Sequence, residues 1–107
     1  MTWPASTPPA PYYVVIFTSL RSEIDDGYAR TAQRMEELAA GRRGFLGIES
    51  VREGAQGITL SYWSDLEAIR EWKADLEHVE AQRLGRERWY ERYSVRVARV
   101  ERAYDFG

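Results

Sequence analysis

One histidine, one lysine and no cysteine limit the acid–base and nucleophilic chemistry open to this chain of 107 residues. His78 carries the side chain whose ordinary pKa, about 6.5, allows proton exchange near neutral pH. A Schiff base would have to use Lys73, and thiolate metal sites or a cysteine nucleophile are excluded. His78 is therefore the candidate general base, with a half-exposed structural histidine as the alternative.

The position of His78 along the chain limits how it could act. Asp75, His78 and Gln82 follow the spacing of one helix face, where the carboxylate could orient the imidazole. One histidine with one carboxylate is a weak metal signature, so we expect no metal. On a straight helix His78 lies about 200° from Leu76 and the apolar stripe. It reaches an interior cavity only if the helix bends or ends near Asp75.

Aromatic residues are abundant, with 4 Trp, 7 Tyr and 3 Phe. Flat apolar side chains can line a cavity for an aromatic compound, and tyrosine or tryptophan adds hydrogen-bond donors for its oxygens. A small core needs the same residues for packing, so both interpretations stay open. The candidates for a substrate pocket are Phe17, Tyr62, Trp63, Trp72, Trp89 and Tyr93.

Charge and composition restrict the class of protein. The 15 basic and 17 acidic residues give a net charge of -2, without the basic excess that binding to nucleic acid requires. No apolar stretch is long enough to cross a bilayer, and no basic residue precedes Arg21 as a secretory signal would need. We expect a cytoplasmic protein of one domain that binds neither nucleic acid nor a membrane.

The first third of the chain predicts an arm, a strand and a helix. All 4 Pro lie in residues 1–11, which predicts a flexible arm ahead of a single domain over residues 12–107. Residues 12–20 are β-branched and aromatic, which is typical of a strand covered on both sides. An apolar stripe over residues 28–39 predicts a helix that ends at Gly41.

The middle and the end of the chain predict three more strands. Residues 44–52 and 58–63 flank a glycine-rich turn over residues 53–57, which is typical of a hairpin. Residues 89–104 alternate and then change phase, so we expect a long strand that carries a bulge or is covered on both faces.

Ser64 and Glu67, three residues apart, form a capping box that predicts a second helix. We expect it to begin near Asp65 and to run, with a bend, to about Gly85. The order of elements is then βαββαβ. It predicts an α+β fold of the ferredoxin-like type, with a four-stranded antiparallel sheet and both helices on one face.

The first and last predicted strands carry apolar residues on both faces, although the helices can cover only one of them. The other face would expose more apolar surface than the few hundred Å² typical of a monomer. We therefore expect a homodimer in which a second copy buries that face.

Several short motifs stand out along the chain: Gly44-Phe45-Leu46-Gly47, Trp63, Trp72, His78, Gly85, Trp89-Tyr90, Tyr93 and Arg96-Val97. Together, over about residues 12–104, they resemble the antibiotic biosynthesis monooxygenase (ABM) superfamily of dimeric α+β barrels. The resemblance is closest to its small stand-alone proteins.

The resemblance implies a cavity between helices and sheet that hosts one of two chemistries. The first is oxidation of a small aromatic, quinol-type compound by O₂ without a cofactor, with His78 as the base. The alternative is haem binding or degradation. For haem, Trp72 matches the family pattern, but Phe17-Thr18-Ser19 stand where an Asn is expected and Gln82 stands near the position of the iron ligand. A non-catalytic dimeric binding or stress-response module is the third hypothesis.

Overall fold

The computed structural model describes residues 3–75, 80 and 83–107. Its sheet has the strand order β2-β3-β1-β4, and every neighbouring pair is antiparallel. A π-helical turn, Gly85–Trp89, precedes the last strand. The strands and helices are β1 (Tyr12–Arg21), α1 (Tyr28–Ala40), β2 (Phe45–Glu53), β3 (Gln56–Trp63), α2 (Leu66–Lys73) and β4 (Tyr90–Val100). The predicted ferredoxin-like βαββαβ fold is confirmed.

The core lies between the two helices and one face of the sheet. Trp63 is fully buried, and its ring stacks on Trp72 at 6.1 Å and meets the edge of Phe45 at 5.5 Å. Tyr13 and Val15 of β1 pack against the same cluster. We call the face of the sheet that packs on the helices the helix side. Directly opposed residues of antiparallel strands share a face, so the strand register shows which other residues lie on the helix side.

Helix α2 begins at a different capping residue from the one the sequence predicted. Asp65, not Ser64, is the N-cap, and its Oδ1 accepts a hydrogen bond of 2.7 Å from the Ala68 amide. The Ser64 hydroxyl instead donates to the Asp65 carboxylate. Arg43, before β2, holds the other carboxylate oxygen at 3.1 Å, which favours the acid over the hydroxyl as the cap.

The predicted second helix is interrupted after Lys73, near Asp75 where the sequence predicts a bend or an end, and residues 80, 83 and 84 are again helical. Helix α2 ends at Lys73, and the Ala74 amide closes its last turn on the Arg70 carbonyl. Residues 76–79, 81 and 82 lie outside the described residues, and the prediction for His78 falls among them. Within the described part of the chain, neither helix is long and apolar enough to cross a membrane.

The last strand is shorter than predicted at both ends. Trp89 belongs to the π-helical turn, where its indole N–H donates to the Asp26 carbonyl at 2.9 Å. Beyond Val100 the exposed residues 101–107 have no strand partner among the described residues. The register of the β1–β4 pair shifts at the end of β1, beside Arg21. It does not shift where the apolar pattern of β4 changes phase.

The sheet face away from the helices, which we call the open face, is apolar over much of its area. Its apolar side chains include Val14, Ile16, Leu20, Val51, Ile58, Leu60 and Ala98. Part of the arm covers one end of this face: the Thr7 hydroxyl hydrogen-bonds that of Tyr12 at 2.8 Å, and the Ala5 amide donates to Glu49. At the other end Ile58 is 46% exposed. The flexibility of the arm stays a prediction.

Candidate functional site

Neither α1 nor α2 covers the helix side of the sheet above Val95 and Val97 of β4. Val95 and Val97 are 50% and 49% exposed, although their register partners on β1, Phe17 and Val15, lie on the helix side. Helix α1 contacts β2 and α2 contacts β3, so the described helices lie over the other half of the sheet. We call the surface of Phe17, Val95 and Val97 the apolar wall. This flat apolar surface on the helix side could pack against an aromatic ring.

A cluster of aromatic rings continues from the apolar wall toward the start of α1. The Phe17 ring contacts Tyr93 at 5.2 Å and Tyr90 at 5.4 Å. Tyr90 in turn meets the edge of Tyr28 at 5.8 Å, and Tyr28 meets Trp89 at 5.7 Å. Edge-to-face contacts of this kind fix the rings in place. The wall therefore ends on a rigid group that carries phenol hydroxyls.

Burial raises the pKa of Tyr90 well above its usual range, and the hydrogen bond to Tyr28 adds to the shift. The Tyr90 hydroxyl donates to the Tyr28 oxygen at 3.1 Å. A phenol that holds its proton at neutral pH can donate a hydrogen bond but cannot accept a proton from a substrate.

Two of the predicted pocket residues belong to the packed core. Trp63 is fully buried and its indole N–H donates to the Ser61 hydroxyl at 3.0 Å. Trp72 is 9% exposed and stacks on Trp63. For this pair the packing interpretation is the one that the structure supports.

Tyr62 lies on the open face, so it does not join the other pocket candidates. Its ring meets the edge of Tyr12 at 5.8 Å, and its hydroxyl donates to Glu49 at 3.4 Å. Burial and the negative charge of Glu49 raise the pKa of Tyr62 to about 12. Neighbouring residues of a strand point to opposite faces, so Tyr62 lies across the sheet from Trp63. Its role in a substrate pocket stays a prediction.

Of the predicted polar trio, the structure describes Asp75, which forms an ion pair with Arg42. His78 and Gln82 lie outside the described residues, so the role of His78 stays a prediction. Within the described ranges, no group of three or more His, Asp or Glu side chains could hold a metal ion.

Residues that the sequence analysis did not select complete the site. In the sequence, Tyr28 belongs to the apolar stripe that predicts α1, and Tyr90 belongs to the Trp89-Tyr90 motif; neither is a predicted site residue. The alternation of Tyr93, Val95 and Val97 along one strand face was the available signal for the apolar wall. The contacts of Tyr28 with Tyr90 carry no signal in the sequence, since 62 residues separate them.

A sequence model of the antibiotic biosynthesis monooxygenase family matches residues 11–84, well over half of the chain. The chain belongs to this family. This ABM protein is 53% identical over 103 residues to the uncharacterized protein YqjZ of Bacillus subtilis, a match that covers 95% of this chain and 90% of YqjZ.

Solved structures share the fold at low sequence identity. SnoaB from Streptomyces nogalater is described as a cofactor-independent oxygenase. Its structure superposes with a TM-score of 0.69 at 13% sequence identity, and the alignment covers 90% of this chain and 97% of the SnoaB chain. Protein SO0527 from Shewanella oneidensis superposes with a TM-score of 0.77 at 11% sequence identity, and the alignment covers 92% of this chain and 100% of the SO0527 chain. At such identities the likeness shows the fold alone.

Proposed function

We propose that this ABM protein is a monooxygenase that oxidises a small aromatic, quinol-type compound with O₂ and without a cofactor. The observation that carries the proposal is the uncovered apolar wall, which ends on the hydroxyl-bearing Tyr28–Tyr90 pair, in a member of this family. The shared fold of SnoaB, a cofactor-independent oxygenase, supports it.

The proposed chemistry begins with removal of a phenolic proton from the substrate by His78. The resulting anion passes one electron to O₂, and the substrate radical and superoxide combine to form a carbon–oxygen bond. The peroxide takes up a proton, and its O–O bond breaks with loss of water, so that one oxygen atom stays on a ring carbon that loses its hydrogen and the other leaves as water; the substrate supplies all the electrons. An apolar surface keeps water away from the anion. The wall residues Val95 and Phe17 supply such a surface, and Tyr90 remains a hydrogen-bond donor throughout.

We further propose that the protein acts as a homodimer in the cytoplasm. The support is the open face, where Ile58 is 46% exposed and the arm covers only the opposite end. Packing of two such faces would remove apolar surface that a monomer leaves in water.

The proposal is tested by oxygen uptake with a panel of simple quinols, followed by mass spectrometry of products formed under isotopically labelled O₂. We expect uptake and incorporation of one oxygen atom, both lost in Val95→Glu, which places a charge on the apolar wall. Binding without oxygen uptake would contradict the proposal and favour the binding-module hypothesis. A Soret shift with haemin that is lost in His78→Ala would favour the haem alternative.

A further inference from the structure

The guanidinium of Arg52, at the end of β2, has no carboxylate partner among the described residues. Its Nη1 donates to the Ala55 carbonyl at 2.9 Å, and its Nη2 donates to the Ser19 hydroxyl at 3.1 Å and to the Tyr28 hydroxyl at 3.3 Å. All three acceptors are neutral, whereas a guanidinium is charged at every physiological pH. A positive charge that the described residues do not neutralise therefore lies at this end of the helix side.

Two hydroxyl groups lie against that charge with hydrogens to donate. The Tyr28 oxygen accepts from both Arg52 and Tyr90, which occupies its two lone pairs. The Ser19 oxygen accepts from Arg52. No described residue accepts a hydrogen bond from the Tyr28 or Ser19 hydroxyl. Two O–H donors and one cation thus converge, which is the chemistry that binds an oxyanion.

The surrounding residues hold this arrangement in place. A Cβ at the buried Gly57 would lie 2.5 Å from the Nη2 of Arg52, so the absence of a side chain gives the guanidinium its space over the sheet. On the other side, the Arg21 guanidinium lies 3.5 Å from the centre of the Tyr28 ring and fixes the phenol.

The two acidic residues before α1 are already paired. Asp25 forms an ion pair with Arg21 at 3.2 Å, and Asp26 forms one with Arg88 at 2.7 Å. Helix α1 begins at Tyr28 and has no acidic side chain in its first turn, so the positive end of its dipole lies beside Tyr28. Glu53, the residue after Arg52, lies on the open face, across the sheet from Arg52.

The site is continuous with the apolar wall, because Ser19 and Phe17 lie on the same face of β1 and the Phe17 ring contacts Tyr90. We propose that Arg52, Tyr28 and Ser19 bind the carboxylate or phenolate oxygen of an aromatic ligand whose ring lies on the apolar wall. The aromatic body of the ligand rests on the proposed function, whereas the oxyanion site rests on the contacts of Arg52.

The experiment compares 1-naphthoate with its neutral analogue 1-naphthamide by calorimetric or NMR titration of the full chain. We expect naphthoate to bind about tenfold more tightly, and the preference to fall as NaCl is added, since Arg52 is exposed. Arg52→Gln should abolish the preference, because it weakens naphthoate much more than naphthamide. Arg70→Gln, on the outer surface of α2, makes the same charge change and should leave the preference intact.

Two further variants separate binding from structural support. Gly57→Ala keeps the charge but displaces the guanidinium, and Tyr28→Phe removes one donor; both should weaken naphthoate selectively, the latter by about three- to tenfold. Equal affinities for the two probes, or a preference that survives Arg52→Gln, would overturn the proposal and leave Arg52 a structural contact. Naphthoate binding without oxygen uptake by any quinol would contradict the proposed oxygenase but not this site.

Discussion

Tyr62 and Tyr90 show at the residue scale that position decides what a phenol can do. Burial raises the pKa of both, and for Tyr62 the charge of Glu49 adds to the shift and gives a pKa of about 12. At neutral pH both therefore remain protonated and cannot take a proton from a substrate. In the proposed reaction, removal of the substrate proton falls to His78, the sole histidine.

We predict that turnover rises with pH through the imidazole pKa, about 6.5, because only the neutral ring of His78 accepts a proton. His78→Ala should lower the rate by about 10²- to 10⁴-fold without loss of the fold. The rate is measured as oxygen uptake across pH 5–8, and circular dichroism provides the control for folding. An unchanged rate in His78→Ala would remove it from the mechanism.

At the element scale, the placement of α2 depends on the short segment before β2. The Gly44 carbonyl accepts from the Ser64 amide at 2.8 Å, and Arg43 reaches both Asp65 and Glu71. Hydrogen bonds from Arg43 and then from the Ala68 amide lower the pKa of Asp65 to about 2. The start of α2 is therefore fixed by the segment that begins the hairpin.

Gly44→Ala should destabilise the protein far more than Gly54→Ala. Both glycines have positive φ, at 83° and 59°, so each alanine strains the backbone by about 1 kcal/mol or more. At Gly44 the new Cβ would also lie 2.5 Å from that of Ala68, whereas nothing lies within 4 Å at Gly54. Urea unfolding should show a cost about 2 kcal/mol larger for Gly44→Ala. Equal costs would contradict the tight contact between α2 and this segment.

The charge of Asp65 should stabilise the fold above its unfolded pKa and lose that effect in acid. A carboxyl group whose pKa is lower in the folded state contributes stability above about pH 4, and the contribution is lost as pH falls toward 2. Asp65→Asn keeps an N-cap but removes the charge, so its Tm should be lower by a few degrees at pH 7. The difference should close as pH falls below 4; a constant difference would contradict the linkage.

At the scale of the whole molecule, the sheet has one face under the helices and one open face. The arm covers the open face near Tyr12, which is 5% exposed, while Ile58 at the other end is 46% exposed. Val95, on the helix side, is exposed to a similar extent, at 50%. Two exposed apolar residues of one sheet thus belong to different proposed surfaces, one for a second copy and one for a ligand.

Ile58→Glu should convert the proposed dimer to a monomer, because it places a charge in the apolar surface that the proposed dimer buries. Val95→Glu, the matched control on the opposite face, should leave the dimer intact and abolish binding of the aromatic ligand. Light scattering measures the mass, with twice the chain mass of 12.4 kDa expected for the wild type. A wild-type mass of 12.4 kDa at micromolar concentration would refute the dimer.

The sequence by itself determined the secondary structure and its order. The β-branched and aromatic run of residues 12–20 expresses a local preference for a strand, and the apolar stripe from Tyr28 to Ala39 follows the 3.6-residue period of a helix, which is also a local property. Those elements, with the hairpin and the βαββαβ order, predicted the ferredoxin-like sheet that the structure has. The same local pattern could not choose between Ser64 and Asp65 as the cap, because both residue types form caps and Arg43 decides between them.

Only the tertiary structure decided which residues share the site. Tyr62 and Trp63 were predicted in one pocket, but neighbouring residues of β3 lie on opposite faces of the sheet, and the assembled structure decides which face the helices cover. The oxyanion site combines Ser19, Tyr28 and Arg52 from three elements, with Gly57 and Tyr90 from two others. Such a group forms through packing between residues far apart in the chain, and no periodic pattern in the sequence predicts that packing. Periodicity in the sequence indicates which side chains of one strand or helix share a face. Which side chains of different elements lie close together is decided only when the sheet and helices assemble.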